Sequence, residues 1–141
     1  MSKQVETSNG SAFTEFPAEG VSMGRSWDRA RSLLVETVPA DRVAWADVIV
    51  YRVGSGLVAH RVVRCWSAGD RLVWITKGDG TWTPDRLPVS ANQLVGVVRG
   101  VRWSDRYDEV GPGWAGYAHA LVGWFGSFVW PPLGDHMDAR K

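Results

Sequence analysis

Five short runs rich in β-branched and aromatic residues constrain this chain more than any other feature. They occupy residues 33–38, 47–53, 57–66, 71–76 and 94–103. Turn-forming residues separate them: Pro39-Ala40-Asp41, Gly54-Ser55-Gly56, Ala68-Gly69-Asp70, and a loop over 78–88 that holds Gly, Asp and Pro. Runs this short, joined by turns this tight, predict antiparallel hairpins. Gly96 and Gly100 inside the last run mark bulges or close backbone approaches. No internal repeat is visible. The expectation is a mainly β, single-domain fold of antiparallel sheets, partly barrel-like.

The 141 residues are 45% hydrophobic, enough for one domain with a real core. Residues 1–15 are polar and small, and read as a disordered lead-in. The domain is expected over 16–104, with 24–32 as a turn or short helical piece. An apolar segment and a polar tail fill 105–141. A net charge of +1 gives no field that would attract nucleic acid. Cys65 is the only cysteine, so no internal disulfide forms, and its strand setting predicts a buried, structural thiol. The N-terminus has no apolar h-region and no run of ~20 apolar residues. A cytoplasmic or membrane-associated protein without a cleavable signal peptide is therefore expected.

Residues 111–133 contain no Asp, Glu, Lys or Arg. The segment is just long enough to cross a bilayer, and Trp and Tyr stand near its ends. His119 and several glycines oppose a span. Three outcomes stay open: a helix packed on the sheet, a helix lying in a membrane interface, and a span.

Candidate chemistry sits in four places. Gly20-Val21-Ser22-Met23 precedes the strands; His60-Arg61-Val62 lies in the third run; Lys77-Gly78-Asp79 ends the fourth; Asp85 follows in the loop. Gly20-Val21-Ser22-Met23 resembles the G-x-S-M box around the nucleophile of type I signal peptidases. In order along the chain, Ala46-Asp47-Val48-Ile49-Val50-Tyr51 is similar to that family's G-D-[IV]-V-[VF]-[YF] strand. His60-Arg61-Val62-Val63 resembles its H-R-V-[IV] box, and Thr76-Lys77-Gly78-Asp79-Gly80 resembles T-K-G-D-N. Asp85 falls at the second Asp of that loop. Val95-Gly96-Val97-Val98 matches the strand that follows. The resemblance covers roughly residues 18–102. It implies a serine endopeptidase of the branch whose general base is His, the fold shared by signal peptidases and self-cleaving repressors, and no metal or cofactor. The implied catalytic residues are Ser22, His60, Asp79 and Asp85, with Asp85 as the orienter of the base and Asp79 as the shaper of the loop.

The chemistry is coherent on its own terms. A serine hydroxyl needs an adjacent base to attack at neutral pH. An imidazole, titrating ordinarily near ~6.5, can take that proton without a large shift, whereas a lysine would need desolvation. Lys77 is the only lysine between the two tails and sits in the Lys-Gly-Asp turn. A carboxylate can orient the imidazole, and the backbone N–H of Ser22 can hold the oxyanion. Asp79 and Asp85 also have plain roles as turn formers. His119, Asp135, His136 and Asp138 lack metal-ligand spacing, and packing accounts for most of the nine Trp residues.

Two positions depart from the family. Arg25 stands where it usually has Pro, and Ala30-Arg31 where it usually has Gly-Asp. The N-terminal anchor and the large extra domain of some members are not expected here. The implied substrate is an extended peptide or preprotein with small side chains before the cut, bound by β-addition. It is an exported preprotein if residues 111–133 touch a membrane, and a cytosolic leader peptide if they do not. The rivals are a self-cleaving regulator and an inactive peptide-binding or scaffold module of the same fold.

Overall fold

The computed structural model of the chain describes residues 3–6, 12–18, 23, 27–111 and 113–129. Nine strands appear among them: β1 (Lys3–Glu6), β2 (Ala12–Pro17), β3 (Ser32–Glu36), β4 (Val48–Val53), β5 (Gly56–Ala68), β6 (Arg71–Lys77), β7 (Val89–Ser90), β8 (Leu94–Arg102) and β9 (Tyr107–Glu109). They form one curled, antiparallel sheet in the order β1-β2-β3-β8-β4-β5-β6-β7, with β9 paired to β8. One helix, α1 (Gly113–Val129), follows. The fold is mainly β, as the spacing of the runs predicts.

The hairpins close as their turn residues require. Val53 pairs with Gly56 and Ala68 with Arg71, so two residues bridge each turn. Gly54 and Gly69 take the positive φ values of 57° and 66° that such turns demand. Gly96 and Gly100 are close approaches. A Cβ on Gly96 would lie 2.3 Å from the Glu36 carbonyl oxygen, and one on Gly100 would strike the Tyr107 ring.

β4 is buried on both faces, and its alternation divides the core. Val48 and Val50 pack with Met23, Leu33, Val35, Val98 and Val101. Ile49 and Tyr51 pack with Val62, Trp74, Val89 and Val97. The face that carries Ile49 and Tyr51 is the one that His60 shares, because Ile49 and His60 are directly paired.

Three expectations are corrected. Residues 1–15 are not a structureless lead-in: 3–6 and 12–17 are strands that extend the sheet beyond β3. Composition hides the cause, which is long-range. Glu15 accepts a hydrogen bond from the Ser32 hydroxyl and forms an ion pair with Arg102 Nε at 3.0 Å, and Phe16 packs on the core. The sheet also runs past residue 104, since Tyr107–Glu109 pairs back onto β8. Cys65 is exposed, not buried. The far end of β5, past Arg64, reaches beyond the core, so strand context did not bring burial there.

α1 packs along β5 and β6 with an unusual polarity. Its small residues face inward. Gly116 sits over Arg61, Gly123 over Val63 and Lys77, and Ala120 between them and Ser127 beyond them are buried. The large apolar side chains point out. No helix among the described residues is long and apolar enough to cross a membrane.

Candidate active site

Ser22, Gly20, Val21 and Arg25 lie outside the described residues, as do Asp135, His136 and Asp138. Met23, next to Ser22, is 4% exposed and anchored in the core with Leu33, Val48 and Val50. It lines a cavity of about 200 Å³ together with Phe16, Ala18, Val50, Val58 and Ala59. The neighbours of Ser22 and of His60 in sequence, Met23 and Ala59, thus line one cavity.

His60 meets Asp85. The Asp85 carboxylate takes three contacts on one oxygen: His60 Nδ1 at 2.5 Å, the Thr76 hydroxyl at 2.6 Å and the Tyr51 hydroxyl at 3.3 Å. Tyr51 also lies 3.0 Å from Thr76 Oγ1 and 3.4 Å from His60 Nδ1. Local structure explains the convergence. Strand alternation and hairpin register put Tyr51, His60 and Thr76 on one face of β4, β5 and β6. The Asp85 backbone N–H donates to the Thr76 carbonyl at 2.8 Å, which ties the loop to the end of β6. Burial pushes the Tyr51 phenol well above its ordinary value; its bond to Thr76 works against that shift, and the Asp85 charge adds to it.

The geometry fixes the tautomer of a neutral imidazole. A carboxylate only accepts, so Nδ1 carries the proton and Nε2 keeps its lone pair. Nε2 is buried and has no hydrogen-bond partner among the described residues. A buried acceptor left unpaired is costly. It is also what a general base needs before its hydroxyl partner arrives.

Asp79 goes elsewhere. Its two oxygens accept from Arg61 Nε at 2.8 Å and Nη2 at 2.6 Å, a two-pronged pair on the face opposite His60. Arg61 Nη1 donates at 2.9 Å to the Ala46 carbonyl. Asp79 therefore holds the Lys-Gly-Asp turn to β5 and does not touch the imidazole. Lys77 lies beside this pair, 4% exposed, and donates to the Gly78 carbonyl at 3.1 Å. Desolvation lowers its ammonium pKa; Asp79 partly offsets that, and Arg61 adds to it.

Two site residues went unrecognised in the sequence: Thr76 and Tyr51. Both stand in quoted boxes, and the signal was available. Each is a polar-tipped residue on a central strand, on the face that His60 shares and diagonal to it, where its hydroxyl needs a partner. A third feature is Ala46, fully buried with φ 74°. Glycine suits that conformation best. No group of three or more His, Cys, Asp or Glu among the described residues is arranged to hold a metal ion.

No protein-family model, no curated protein and no solved structure matches the chain.

Proposed function

We propose that the chain is a serine endopeptidase that trims leader or signal peptides, with Ser22 as nucleophile and His60 as base. The observation that carries this is the His60–Asp85 bond of 2.5 Å, with a buried Nε2 that has no partner among the described residues. In the proposed reaction Ser22 Oγ attacks the scissile carbonyl carbon and its proton passes to Nε2. The imidazolium is stabilised by Asp85, itself held by Thr76 and Tyr51. The oxyanion accepts from the Ser22 backbone N–H. On collapse the C–N bond breaks and Nε2 returns the proton to the leaving amine. Water then attacks the ester, with His60 again taking a proton and handing it back to Ser22. The cavity beside Met23 and Ala59 suits one substrate side chain.

A second reading is a non-catalytic peptide-binding module. One observation favours it: Nε2 is closed off from solvent as well as without a partner among the described residues. Ala30-Arg31, in the place of Gly-Asp, points the same way. A self-cleaving regulator would use the same groups on its own chain.

The test is to incubate wild type, Ser22→Ala and His60→Ala with a peptide library and with a fluorophosphonate probe. Cleavage by wild type alone, with probe on Ser22, is the expected result. Equal background from all three proteins and no labelling would leave the binding module as the better account. Clipping of the chain itself, lost in Ser22→Ala, would identify the regulator.

A further inference from the structure

The outward face of α1 is the largest feature that the proposed chemistry does not use. Tyr117, Leu121, Val122, Phe125, Phe128 and Val129 are 46–72% exposed, with Trp124 beside them. An aromatic side chain alone offers ~150–250 Å², so this face presents several hundred Å² of apolar surface. That is as large as the biggest patches found on monomers, which are often interaction sites. The polarity is built in. The inward stripe of Gly116, Ala120 and Gly123 lets the helix lie close on Arg61, Val63 and Lys77, and large residues have only the outside left.

We propose that this face docks α1 flat on an anionic lipid surface. The helix has 17 residues, ~25 Å long, and stays packed lengthwise on β5 and β6, so it lies along a membrane plane. Its outward face carries no acidic residue. The charged group at its edge is Arg64, whose guanidinium rests 4.9 Å above the Phe128 ring and 5.3 Å from that of Trp66. A cation held on a long stem over an apolar face is suited to lipid phosphates. Indole and phenol groups frame the face, with Trp45 stacked on Tyr117 at 5.7 Å and Trp124 against Phe128 at 4.9 Å. Rings of this kind favour the headgroup layer.

The adjoining loop extends the same surface. Trp82 is 95% exposed. A cleft of about 560 Å³, walled by Ala118 and Val122 of α1, opens between it and the helix. A second copy of the chain fits this face less well. A two-fold contact sets a patch against itself, and the α1 face carries no carboxylate to meet the Arg64 of a second copy. The docking stands independently of the Ser22–His60 chemistry, but it bears on it. Asp85 follows Trp82 by three residues, at most ~10 Å of chain.

The experiment is co-sedimentation of the full chain with phosphatidylglycerol–phosphatidylcholine vesicles and with pure phosphatidylcholine vesicles. Wild type, Phe125→Ser/Phe128→Ser and Arg64→Gln are compared, with circular dichroism to verify the fold and light scattering to give the mass in solution. Wild type should bind the anionic vesicles. The double variant, changed only at exposed positions, should partition at least about tenfold more weakly. Arg64→Gln should weaken binding to the anionic vesicles and leave the neutral ones unaffected. The proposal is overturned if wild type stays unbound, if the folded double variant binds as tightly, or if Arg64→Gln makes no difference on anionic vesicles. A wild-type dimer that the double variant dissolves, with no vesicle binding, would assign the face to a second copy. Peptide cleavage is not part of the readout, so loss of the peptidase proposal would leave this result standing.

Discussion

His60 and Asp85, separated by 24 intervening residues, are joined by a 2.5 Å hydrogen bond that fixes which imidazole nitrogen is free. Thr76 donates to the same Asp85 oxygen at 2.6 Å, so the carboxylate is itself held in place. Orientation of the imidazole thus depends on three strands and one loop, and the bond to break first is the one to Asp85.

Asp85→Asn should therefore act through the tautomer. An amide nitrogen can donate to Nδ1, which moves the ring proton to Nε2 and removes the lone pair that a base needs. Peptide cleavage should fall by about 10²–10⁴-fold. The imidazole ¹⁵N shifts of His60 should report the switch from Nδ1–H to Nε2–H even without substrate. An unchanged tautomer with full activity would contradict the assignment. Thr76→Val should be milder, costing about 1 kcal/mol of orientation, or roughly tenfold or less in rate.

Asp79 should prove structural. Its pairing with Arg61 is nearly closed off from water, with side-chain exposures of 13% and 8%. Asp79→Ala leaves a guanidinium buried without its counter-charge, which typically costs about 3–5 kcal/mol. Removing both charges as Arg61→Leu/Asp79→Leu should cost less than Asp79→Ala alone, since no unpaired ion remains. Urea unfolding of the three proteins checks the order. A double variant less stable than Asp79→Ala would show that the Arg61 bond to the Ala46 carbonyl matters more than the pair.

Lys77 and Tyr51 give stability opposite pH slopes. Burial lowers the Lys77 pKa below its ordinary 10.5. Between the folded value and 10.5 the unfolded chain binds more protons, so stability rises with pH in that window. The advantage of Lys77→Met over wild type should be greatest at neutral pH and shrink as pH climbs towards 10.5. Burial raises the Tyr51 pKa above its ordinary 10.0. Its contribution is complete below pH 10 and is lost as pH rises through the folded value. Wild type should then lose ground to Tyr51→Phe above pH 10. Thermal unfolding from pH 7 to pH 11 measures both, and parallel curves for variant and wild type would contradict either shift.

Much of this was legible in the sequence, and the exceptions share a cause. The runs ending in Gly54-Ser55 and Gly69-Asp70 announced their own hairpins because register there is local. The resemblance puts Asp85 beside the imidazole and Asp79 in the turn; in the structure Asp85 pairs with His60 and Asp79 with Arg61. The β1 and β2 strands were not legible, since they depend on Glu15 meeting Ser32 and Arg102 across the sheet. Thr76 and Tyr51 fall inside strand runs with nothing nearby in sequence to mark their partner, because that partner, Asp85, arrives from a loop. The exposure of Cys65 reflects how far β5 overshoots the core, a length that no residue pattern encodes.

Ala46 offers a test of backbone strain beside the site. It is fully buried with φ 74°, its N–H donates to the Val62 carbonyl at 3.0 Å, and its carbonyl accepts from Arg61. A non-glycine residue there costs about 1–2 kcal/mol. Ala46→Gly relieves that strain. It also gives up a buried methyl worth ~0.8 kcal/mol and adds ~0.5–1 kcal/mol of unfolded-state freedom, so the net change should stay within about 1 kcal/mol. Ala46→Val keeps the strain, makes it worse by β-branching and overfills a buried position, for a loss of at least about 2 kcal/mol. Denaturant midpoints should rank glycine and alanine together and valine well below. If valine matched alanine, the positive φ would not hold in solution, and the carbonyl that anchors Arg61 would have to be oriented some other way.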